Sequence, residues 1–459
     1  MNKYKIENSS FRDPSGFLFY HGDIIYRQVN QSYKKEYDTL MNSGLYQKLV
    51  DEKLIIPHKE VDIEPAKPEI AYKIIQPEKI PFISYPYEWS FSQLKQAALT
   101  TLEIQKICMD YEMTLKDASA YNIQFNLVNP IFIDTLSFET YVEGKPWHAY
   151  KQFCQHFLAP LALMSHKDIR LNQLLRIYID GIPLDLTSEL LPMRTKTMFT
   201  LMSHIHAHAK SQKHYENKKI KKGLKLGRRS FIGIIESLYS GTKKMNWTPK
   251  GTEWAEYYSE TNYTTSAFQE KKQIISDFLD KIKPKIVWDL GANTGVFSRL
   301  ASQKEIKTIS FDIDPAAIEK NYLDCIKNNE TNILPLLLDL TNPTPNIGWD
   351  NKERLSVIER GPTDVIFALA LIHHLVISNN IPLSKIANFF KKNCKYLIIE
   401  FVPKNDSQVQ RLLSTREDIF DQYTQEDFEN EFEKYFRIET SFKLKDSDRV
   451  LYIMEKQVD

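Results

Sequence analysis

In the second half of the chain, stretches with apolar residues at helical spacing alternate with short, strand-like apolar runs. Residues 264–282 carry apolar side chains at helical spacing, which predicts an amphipathic helix that Pro284 ends. Five short apolar runs follow, separated by helix-like segments: KIVWDL, TISFDI, ILPLLLDL, DVIFALAL and KYLIIEFV. The chain closes with two more strand-like runs, FRIETSFKL and RVLYIMEK. This order predicts an α/β domain with a doubly wound parallel sheet and a terminal antiparallel hairpin.

The first half of the chain mixes strand-like and helical patterns, which predicts an α+β domain over residues 1–209. Residues 16–29 have the pattern of two strands joined by a tight turn at His21-Gly22-Asp23. The apolar spacing is helical from Ser90 to Met113, and a loop-and-strand unit follows. We assign residues 210–263 to a basic linker with connecting helices, and residues 264–459 to the α/β domain.

Composition is that of an ordinary folded protein. The chain has 459 residues, of which 42% are apolar and 26% charged, and its net charge is +1. This length favours two or three domains, and the balanced charge argues against bulk binding of nucleic acid. One stretch departs from the average, since Lys210–Arg229 holds nine Lys or Arg and a single Glu. It is interpreted either as a solvated linker or as a contact for a polyanionic substrate.

The cellular compartment is predicted from what the sequence lacks. The four cysteines are far apart and show no metal-ligand spacing, which predicts free thiols and neither a disulfide framework nor a zinc site. The first residues contain no apolar core of signal-peptide length. No window approaches the ~18–20 apolar residues of a membrane span. We therefore expect a cytoplasmic protein without a membrane span, and nothing in the sequence indicates its oligomeric state.

A glycine-rich turn, Asp289-Leu-Gly291-Ala-Asn293-Thr-Gly295, follows the first apolar run of the α/β domain. Glycines are needed where a strand turns sharply into a helix and a ligand presses against the backbone. The spacing of this turn differs from the Gly-x-Gly-x-x-Gly pattern of dinucleotide enzymes. A carboxylate at Asp289 repels a pyrophosphate but attracts the ammonium group of a methionine moiety. The turn therefore favours S-adenosylmethionine as the cofactor.

Carboxylates also follow the second and third apolar runs. The second run ends in Phe311-Asp312-Ile313-Asp314, where a carboxylate can accept hydrogen bonds from both ribose hydroxyls. The third run ends in Asp339, which is placed to meet the exocyclic amine of adenine. The structural alternative is that Asp312 and Asp339 only cap the helices that follow them.

These motifs, in this order and with the closing hairpin, resemble the class I S-adenosylmethionine-dependent methyltransferase family from Thr264 to the end of the chain. The resemblance implies a Rossmann-like fold, and Asn293 departs from it because many members have a third glycine there. The runs ALALIHHL and EFVPKNDSQVQRLL further resemble bacterial methyltransferases associated with rhizobial nodulation proteins, which does not name the acceptor. The cofactor contacts expected on these grounds are Asp289, Gly291, Asn293, Gly295, Asp312, Asp314, Asp339 and Ala368.

The acceptor site is expected beyond the fourth and fifth apolar runs, at the mouth of the sheet. Two polar clusters fall there, one with His373 and His374 and one with Glu400 and Lys404. His373 is the preferred general base because an imidazole titrates near neutral pH, and a purely structural hydrogen bond is its alternative. Glu400 either orients the acceptor or pairs with Lys404.

The first half of the chain contains a second candidate constellation. Asp117 and Asn122 have the Asp-x-x-x-x-Asn spacing of a kinase catalytic loop, and Asp134 follows twelve residues after Asn122. With the hairpin and a helix bearing Glu36, they resemble the protein-kinase-like fold over about 120 residues. Arg27 stands where the phosphate-binding Lys is expected, and no glycine-rich phosphate loop is visible. The preferred interpretation is a degenerate kinase-like domain that binds substrate or partner.

The leading hypothesis is a methyltransferase that acts on a small-molecule or glycan-like acceptor by in-line displacement, without a metal. A bifunctional kinase–methyltransferase is one alternative, in which Asp117 is the base and Asn122 and Asp134 hold Mg²⁺. Another is an RNA methyltransferase that grips phosphates with Lys210–Arg229. A non-catalytic protein that retains the cofactor-binding fold is the least favoured, since an inactive site would not require all three acids, Asp289, Asp312 and Asp339.

Overall fold

The computed structural model describes residues 4–210, 226–249 and 264–457. These residues form two compact units. The first unit contains the described residues up to Thr248 together with Asn346–Arg354, and the second contains Pro249–Pro345 and the residues from Leu355 onward, as far as each is described. Most of the basic stretch, residues 211–225, lies outside the described residues, as do residues 250–263. No helix among the described residues has the length and apolar character needed to cross a membrane.

An antiparallel sheet with strand order β1-β2-β3-β5-β4 forms one part of the first unit. Its strands are β1 (Lys5–Ile6), β2 (Gly16–His21), β3 (Ile24–Asn30), β4 (His58–Glu60) and β5 (Ala71–Pro77). The predicted hairpin is confirmed, since β2 and β3 pair antiparallel with His21 opposite Ile24. Two short antiparallel pairs follow: β6 (Met113–Leu115) with β9 (Phe138–Thr140), and β7 (Ile123–Asn126) with β8 (Asn129–Phe132).

The rest of the first unit is mainly helical. Its helices are α1 (Lys34–Asn42), α2 (Leu45–Asp51), α3 (Phe91–Asp110), α4 (Tyr150–Phe153), α5 (Ala159–His166), α6 (Leu174–Ile177), α7 (Leu184–Leu190), α8 (Phe199–Leu201) and α9 (Arg228–Lys244). The long helix α3 begins where the sequence predicts it, because Ser90 and Gln93 form a capping box at its N-terminus. The α+β character expected for this half of the chain is therefore confirmed, whereas its kinase-like fold stays a prediction.

The second unit is built on one seven-stranded sheet with order β12-β11-β10-β13-β14-β16-β15. Its strands are β10 (Ile286–Leu290), β11 (Lys307–Asp312), β12 (Ile333–Leu337), β13 (Thr363–Ala368), β14 (Cys394–Phe401), β15 (Phe436–Lys443) and β16 (Val450–Lys456). The first five run parallel, and β16 pairs antiparallel with both β14 and β15. The predicted doubly wound sheet with a terminal hairpin is confirmed, and this is the class I methyltransferase-like fold.

Helices pack against this sheet and bury its apolar side chains. They are α10 (Thr265–Ile282), α11 (Ser298–Ser302), α12 (Pro315–Lys327), α13 (Leu383–Asn393), α14 (Ser407–Leu413) and α15 (Gln425–Glu433). Helix α10 begins at Thr264, whose hydroxyl accepts a hydrogen bond from the Ala267 amide, as an N-cap does. The apolar stripe of α10, with Ile275, Phe278 and Leu279, joins the buried core of strands β10, β13 and β14.

The helix-like segment expected between the third and fourth strands of this sheet was wrong. The described residues between β12 and β13 form a loop with one 3-10 turn, Trp349–Asn351. Pro343 and Pro345 lack amide donors, and Gly348 has a positive φ of 83°, so an α-helix cannot propagate through them. Residues 346–354 of this loop belong to the first unit, where the Arg12 guanidinium holds the buried Glu353 carboxylate at 2.6 and 2.9 Å.

Candidate functional site

The predicted glycine-rich turn lies at the carboxyl end of β10. Gly291, Asn293 and Gly295 have φ values of 77°, 51° and 78°, in the left-handed region that glycine adopts at least cost. A Cβ on Gly295 would lie 2.6 Å from Asn321 Nδ2, so a side chain is excluded there. Asn293 tolerates its conformation because asparagine enters the left-handed region more readily than most residues. The turn therefore keeps its shape without the third glycine.

Asp289, at the end of β10, is buried below this turn. The Ser298 hydroxyl, from the start of α11, donates a 2.6 Å hydrogen bond to its carboxylate. Burial raises the pKa of Asp289 to about 7, although the Ser298 hydrogen bond and the positive charge of Lys271 oppose the shift. A cationic group brought against Asp289 would favour its charged form.

Asp312, the last residue of β11, supports the turn from the neighbouring strand. One carboxylate oxygen accepts the Asn293 amide at 2.7 Å, and the other accepts the Asp314 amide at 2.9 Å. Burial raises the pKa of Asp312 to about 6, while these backbone donors act against the shift. Asp312 therefore ties the ends of β10 and β11 together, which a helix cap alone would not do. Each oxygen also retains a lone pair that can accept a further hydrogen bond.

The other two predicted acids have local partners. Asp314 is the N-cap of α12, where its carboxylate accepts the Ala316 amide at 2.7 Å. Asp339 follows β12, is partly exposed, and accepts both the amide and the hydroxyl of Thr341, at 2.8 and 2.7 Å. A helix cap, suggested for Asp312 and Asp339, is found instead at Asp314, while Asp339 stabilises a loop turn. Contact of Asp314 and Asp339 with a cofactor stays a prediction.

His373 lies beyond Ala368, which is the last residue of β13. It is buried, and its Nδ1 atom has no hydrogen-bond partner among the residues that the structure describes. Burial, then the neighbouring His374 and Arg449, holds the pKa of His373 well below its ordinary value. The rings of His373 and His374 are 4.2 Å apart, centroid to centroid. His373 is therefore a neutral imidazole at physiological pH, able to accept a proton but weakly basic.

Glu400, in β14, has partners that the sequence analysis missed. Its carboxylate is fully buried and pairs with the equally buried Lys271 ammonium of α10, at 2.6 Å, while Arg449, which directly precedes β16, lies 3.8 Å from its other oxygen. Of the two alternatives for Glu400, the pair with Lys404 is wrong, since Lys404 binds Asp418 at 2.9 Å, and orientation of the acceptor stays a prediction. Lys404 lies beyond the end of the strand, where its side chain reaches the partly exposed Asp418 instead of the sheet interior.

This buried charge network continues to the loop after β14. The Arg449 guanidinium forms two hydrogen bonds with Asp406, at 2.8 and 3.1 Å, and Asp406 caps α14 by accepting the Gln408 amide. One signal for it was present in the sequence. Lys271 occupies the apolar stripe of α10, three residues after Phe268 and four before Ile275, so a buried position was deducible from helical spacing.

The polar residues predicted in the first unit also come together. The Asn122 amide donates to the Asp117 carboxylate at 3.0 Å, and Asp134 accepts hydrogen bonds from Ser137 and from Arg27, the latter at 2.6 Å. Burial raises the pKa of Asp117. Glu36 lies on α1 but accepts hydrogen bonds from Thr140. Among the described residues, no group of three or more His, Cys, Asp or Glu side chains has the geometry to hold a metal ion.

Comparison with known proteins gives one close relative and several distant folds. No family model matches the chain. The chain is 35% identical to the nodulation protein NoeA of Rhizobium meliloti over 458 residues, which cover 97% of this chain and 95% of NoeA. The solved structure of WbdD, a bifunctional kinase-methyltransferase, matches 44% of this chain and 42% of its own at 15% identity, with a TM-score of 0.32.

The magnesium protoporphyrin IX methyltransferase ChlM of Synechocystis PCC 6803, solved with bound SAH, matches 44% of this chain and 93% of its own. Its identity is 14% and its TM-score 0.32. At such scores these likenesses add nothing to the fold that the strand order already identifies.

Proposed function

The chain belongs to the family of the nodulation protein NoeA, and on that premise we propose that it is an S-adenosylmethionine-dependent methyltransferase with a small-molecule or glycan-like acceptor. The observation that carries this proposal is the meeting of three features at one edge of the sheet. The buried Asp289, the left-handed turn from Gly291 to Gly295, and Asp312 bound to two backbone amides all lie at the carboxyl ends of β10 and β11. Ligands of open α/β sheets bind at this edge.

The residues present fit the cofactor. When bound, S-adenosylmethionine supplies a methyl group on a positively charged sulfur. Asp289 receives the cofactor ammonium, since a cation offsets the cost of keeping its buried carboxylate charged. Asp312 would accept hydrogen bonds from the ribose hydroxyls through its remaining lone pairs, and Asp339 would accept one from the adenine amine. Gly291, without a side chain, would let the ligand approach the backbone, and Ala368, at the end of β13, would lie on the other side of β10 from Asp312.

The acceptor is placed beyond β13 and β14. His373 accepts the acceptor's proton, because burial lowers its pKa and keeps the imidazole neutral, with an Nδ1 atom that has no hydrogen-bond partner among the described residues. Glu400 orients the acceptor end of the site through its buried pair with Lys271. A methyl acceptor held near the sulfur needs little further catalysis, because alignment accounts for most of the rate of an in-line displacement.

A polar cavity supports a hydroxylated acceptor. It has a volume of about 710 Å³ and lies between the loop after β14 and the β15–β16 turn. Because Val450 pairs with Phe401, this turn lies beside the carboxyl end of β14. The cavity is lined mainly by amide, hydroxyl and charged side chains: Asn405, Asp406, Ser407, Lys443, Leu444, Asp446, Ser447 and Asp448. Such side chains bind the hydroxyl groups of sugars and other polyols through hydrogen bonds.

Calorimetric titration with S-adenosylmethionine and S-adenosylhomocysteine tests the proposal. We expect micromolar binding by the wild-type protein and loss of at least about ten-fold in affinity for Asp312→Ala, since two charge-assisted contacts disappear. Asp324→Ala, which removes an exposed carboxylate from α12, is the matched control and should bind normally. Absence of binding by the wild-type protein would contradict the proposal.

A bifunctional kinase–methyltransferase is the second candidate. It is favoured by the hydrogen bond between Asn122 and Asp117 and by the ion pair of Arg27 with Asp134, which gather the expected polar groups in one place. The position of Glu36 argues against a kinase, because its carboxylate accepts a hydrogen bond from Thr140, whereas Arg27 forms its ion pair with Asp134. ATP with Mg²⁺ should raise the melting temperature of the wild-type protein and be hydrolysed, with Asp117→Ala inactive. Neither effect is expected if this unit only binds substrate or partner.

An RNA methyltransferase has no support from the described residues, because residues 211–225 of the basic stretch lie outside them. A strong dependence of RNA affinity on salt concentration would be its signature.

A further inference from the structure

A short segment of the first unit exposes an unusual density of large apolar side chains. Phe199 is 75% exposed and Met193 72%, and Met198 and Met202 are exposed as well. All four fall within the ten residues from Met193 to Met202, whereas no ten-residue stretch elsewhere in the described chain holds more than two exposed large apolar residues. Single exposed apolar residues are ordinary, but a contiguous set of them marks a surface that is covered in use.

This segment has a buried side that fixes it to the protein. It consists of a 3-10 turn, Met193–Thr197, the helix α8 and a π-helical turn, Met202–His206. Its inward residues Leu201 and Ile205 are fully buried. The exposed side chains are therefore carried on an anchored backbone.

Buried histidines strengthen this anchoring. His206 receives hydrogen bonds from, or gives them to, Thr195 at 2.9 Å and Ser188 at 2.8 Å. His204 is bound on its two nitrogens by Tyr150 at 2.7 Å and by Ser237 of α9 at 3.0 Å. These contacts hold both ends of the exposed segment, so its apolar side chains do not turn inward.

Cationic side chains are interleaved with the apolar ones. Arg194 and Lys196 are exposed between Met193 and Met198, and the Lys196 ammonium lies 3.2 Å from the Met193 sulfur. The sequence contains no Asp or Glu from Leu190 to Tyr215. This face thus combines protruding apolar side chains with two exposed cationic ones.

We propose that the surface formed by Met193, Arg194, Lys196, Met198, Phe199 and Met202 docks on an anionic lipid bilayer. Phe199 and the methionines enter the boundary between headgroups and acyl chains, while Arg194 and Lys196 keep their charges at the level of the lipid phosphates. A bilayer fits better than a protein partner because it needs no shape-specific pocket and matches both the apolar and the cationic features. This attachment is peripheral, and it does not depend on the proposed methyl transfer.

Vesicle co-sedimentation of the full chain tests the proposal. We expect the wild-type protein to sediment with vesicles of phosphatidylcholine containing roughly 30% phosphatidylglycerol, and to dissociate from them as the salt concentration rises. It should not sediment with vesicles of pure phosphatidylcholine. Met198→Ser/Phe199→Ser should weaken binding roughly ten-fold or more, since two exposed apolar side chains no longer enter the bilayer. Arg194→Gln/Lys196→Gln should remove the preference for anionic lipid.

Ile419→Ser is the matched control, because Ile419 is 64% exposed in the second unit and should not affect lipid binding. Circular dichroism melting would verify that all variants fold. Failure of the wild-type protein to bind anionic vesicles would overturn the proposal, as would equal binding by either double variant. Self-association that Met198→Ser/Phe199→Ser abolishes, without vesicle binding, would show that the surface joins copies of this chain and would overturn it too.

Discussion

Removal of the Lys271 charge is expected to destabilise the second unit strongly. In Lys271→Met, the fully buried Glu400 carboxylate loses its ammonium partner at 2.6 Å, while the Arg449 guanidinium lies 3.8 Å away and is already bound to Asp406. Breaking a buried pair on one side costs about 3–5 kcal/mol, because the remaining charge stays out of water. The double variant Lys271→Met/Glu400→Leu removes both charges and should recover most of that loss.

Native-state hydrogen exchange of the amides of β14 is the suitable assay, since it reports on this sheet separately from the first unit. The expected loss corresponds to exchange about 10²- to 4 × 10³-fold faster in Lys271→Met than in the wild-type protein. Lys304→Met is the matched control. Its pair with Asp280 has the same 2.6 Å distance but is partly exposed, so about 0–1 kcal/mol is expected. Exchange in Lys271→Met within about three-fold of wild type would refute the reasoning.

Three further predictions concern the proposed cofactor and acceptor sites. Burial raises the pKa of Asp289 to about 7, so the charged carboxylate forms as the pH rises through this range. Calorimetry should therefore show the affinity for S-adenosylhomocysteine increasing roughly ten-fold from about pH 6 to about pH 7.5. Asp289→Asn should bind weakly without this rise, and a flat wild-type profile would contradict the assignment of Asp289 to the cofactor ammonium. Gly295→Ala should abolish cofactor binding and lower the melting temperature, since the new Cβ would lie 2.6 Å from Asn321 at a φ of +78°. The control Gly233→Ala on α9, where a Cβ meets open space, should stabilise the protein by about 0.5–1 kcal/mol. Equal melting temperatures of the two variants would contradict a strained turn at Gly295. His373→Ala should lower turnover of the true acceptor while calorimetry shows S-adenosylmethionine affinity unchanged, and unaltered turnover would remove His373 from the mechanism.

The architecture of the second unit was predictable because its signals are local. Apolar runs of strand length, alternating with helical spacing, permit little other than a parallel sheet, and acids that end such runs must gather at one edge. This is why Asp289 and Asp312 both lie at the turn between β10 and α11, where Asp312 accepts the Asn293 amide and Asp289 accepts the Ser298 hydroxyl. The capping role of Asp314 was also accessible, since Pro315 directly follows it at the start of a helical pattern.

The charge network around Glu400 was not predictable in the same way. Lys271 and Glu400 are 129 residues apart in sequence, and only the packing of α10 on the sheet brings them together. The nearby Lys404 suggested a local pair, but strand alternation places Glu400 in the interior and leaves Lys404 in the following loop. The association of residues 346–354 with the first unit carried no periodic signal either, because it depends on Glu353 meeting the distant Arg12.

Binding of S-adenosylhomocysteine to the wild-type protein and to Asp312→Ala tests the central claim most directly. The account predicts micromolar binding that falls at least about ten-fold in the variant, because Asp312 binds two backbone amides at the glycine-rich turn and is proposed to accept hydrogen bonds from the ribose hydroxyls. The Asp324→Ala control should bind as the wild-type protein does. Equal affinity of wild type and Asp312→Ala, or no binding by either, would contradict the account.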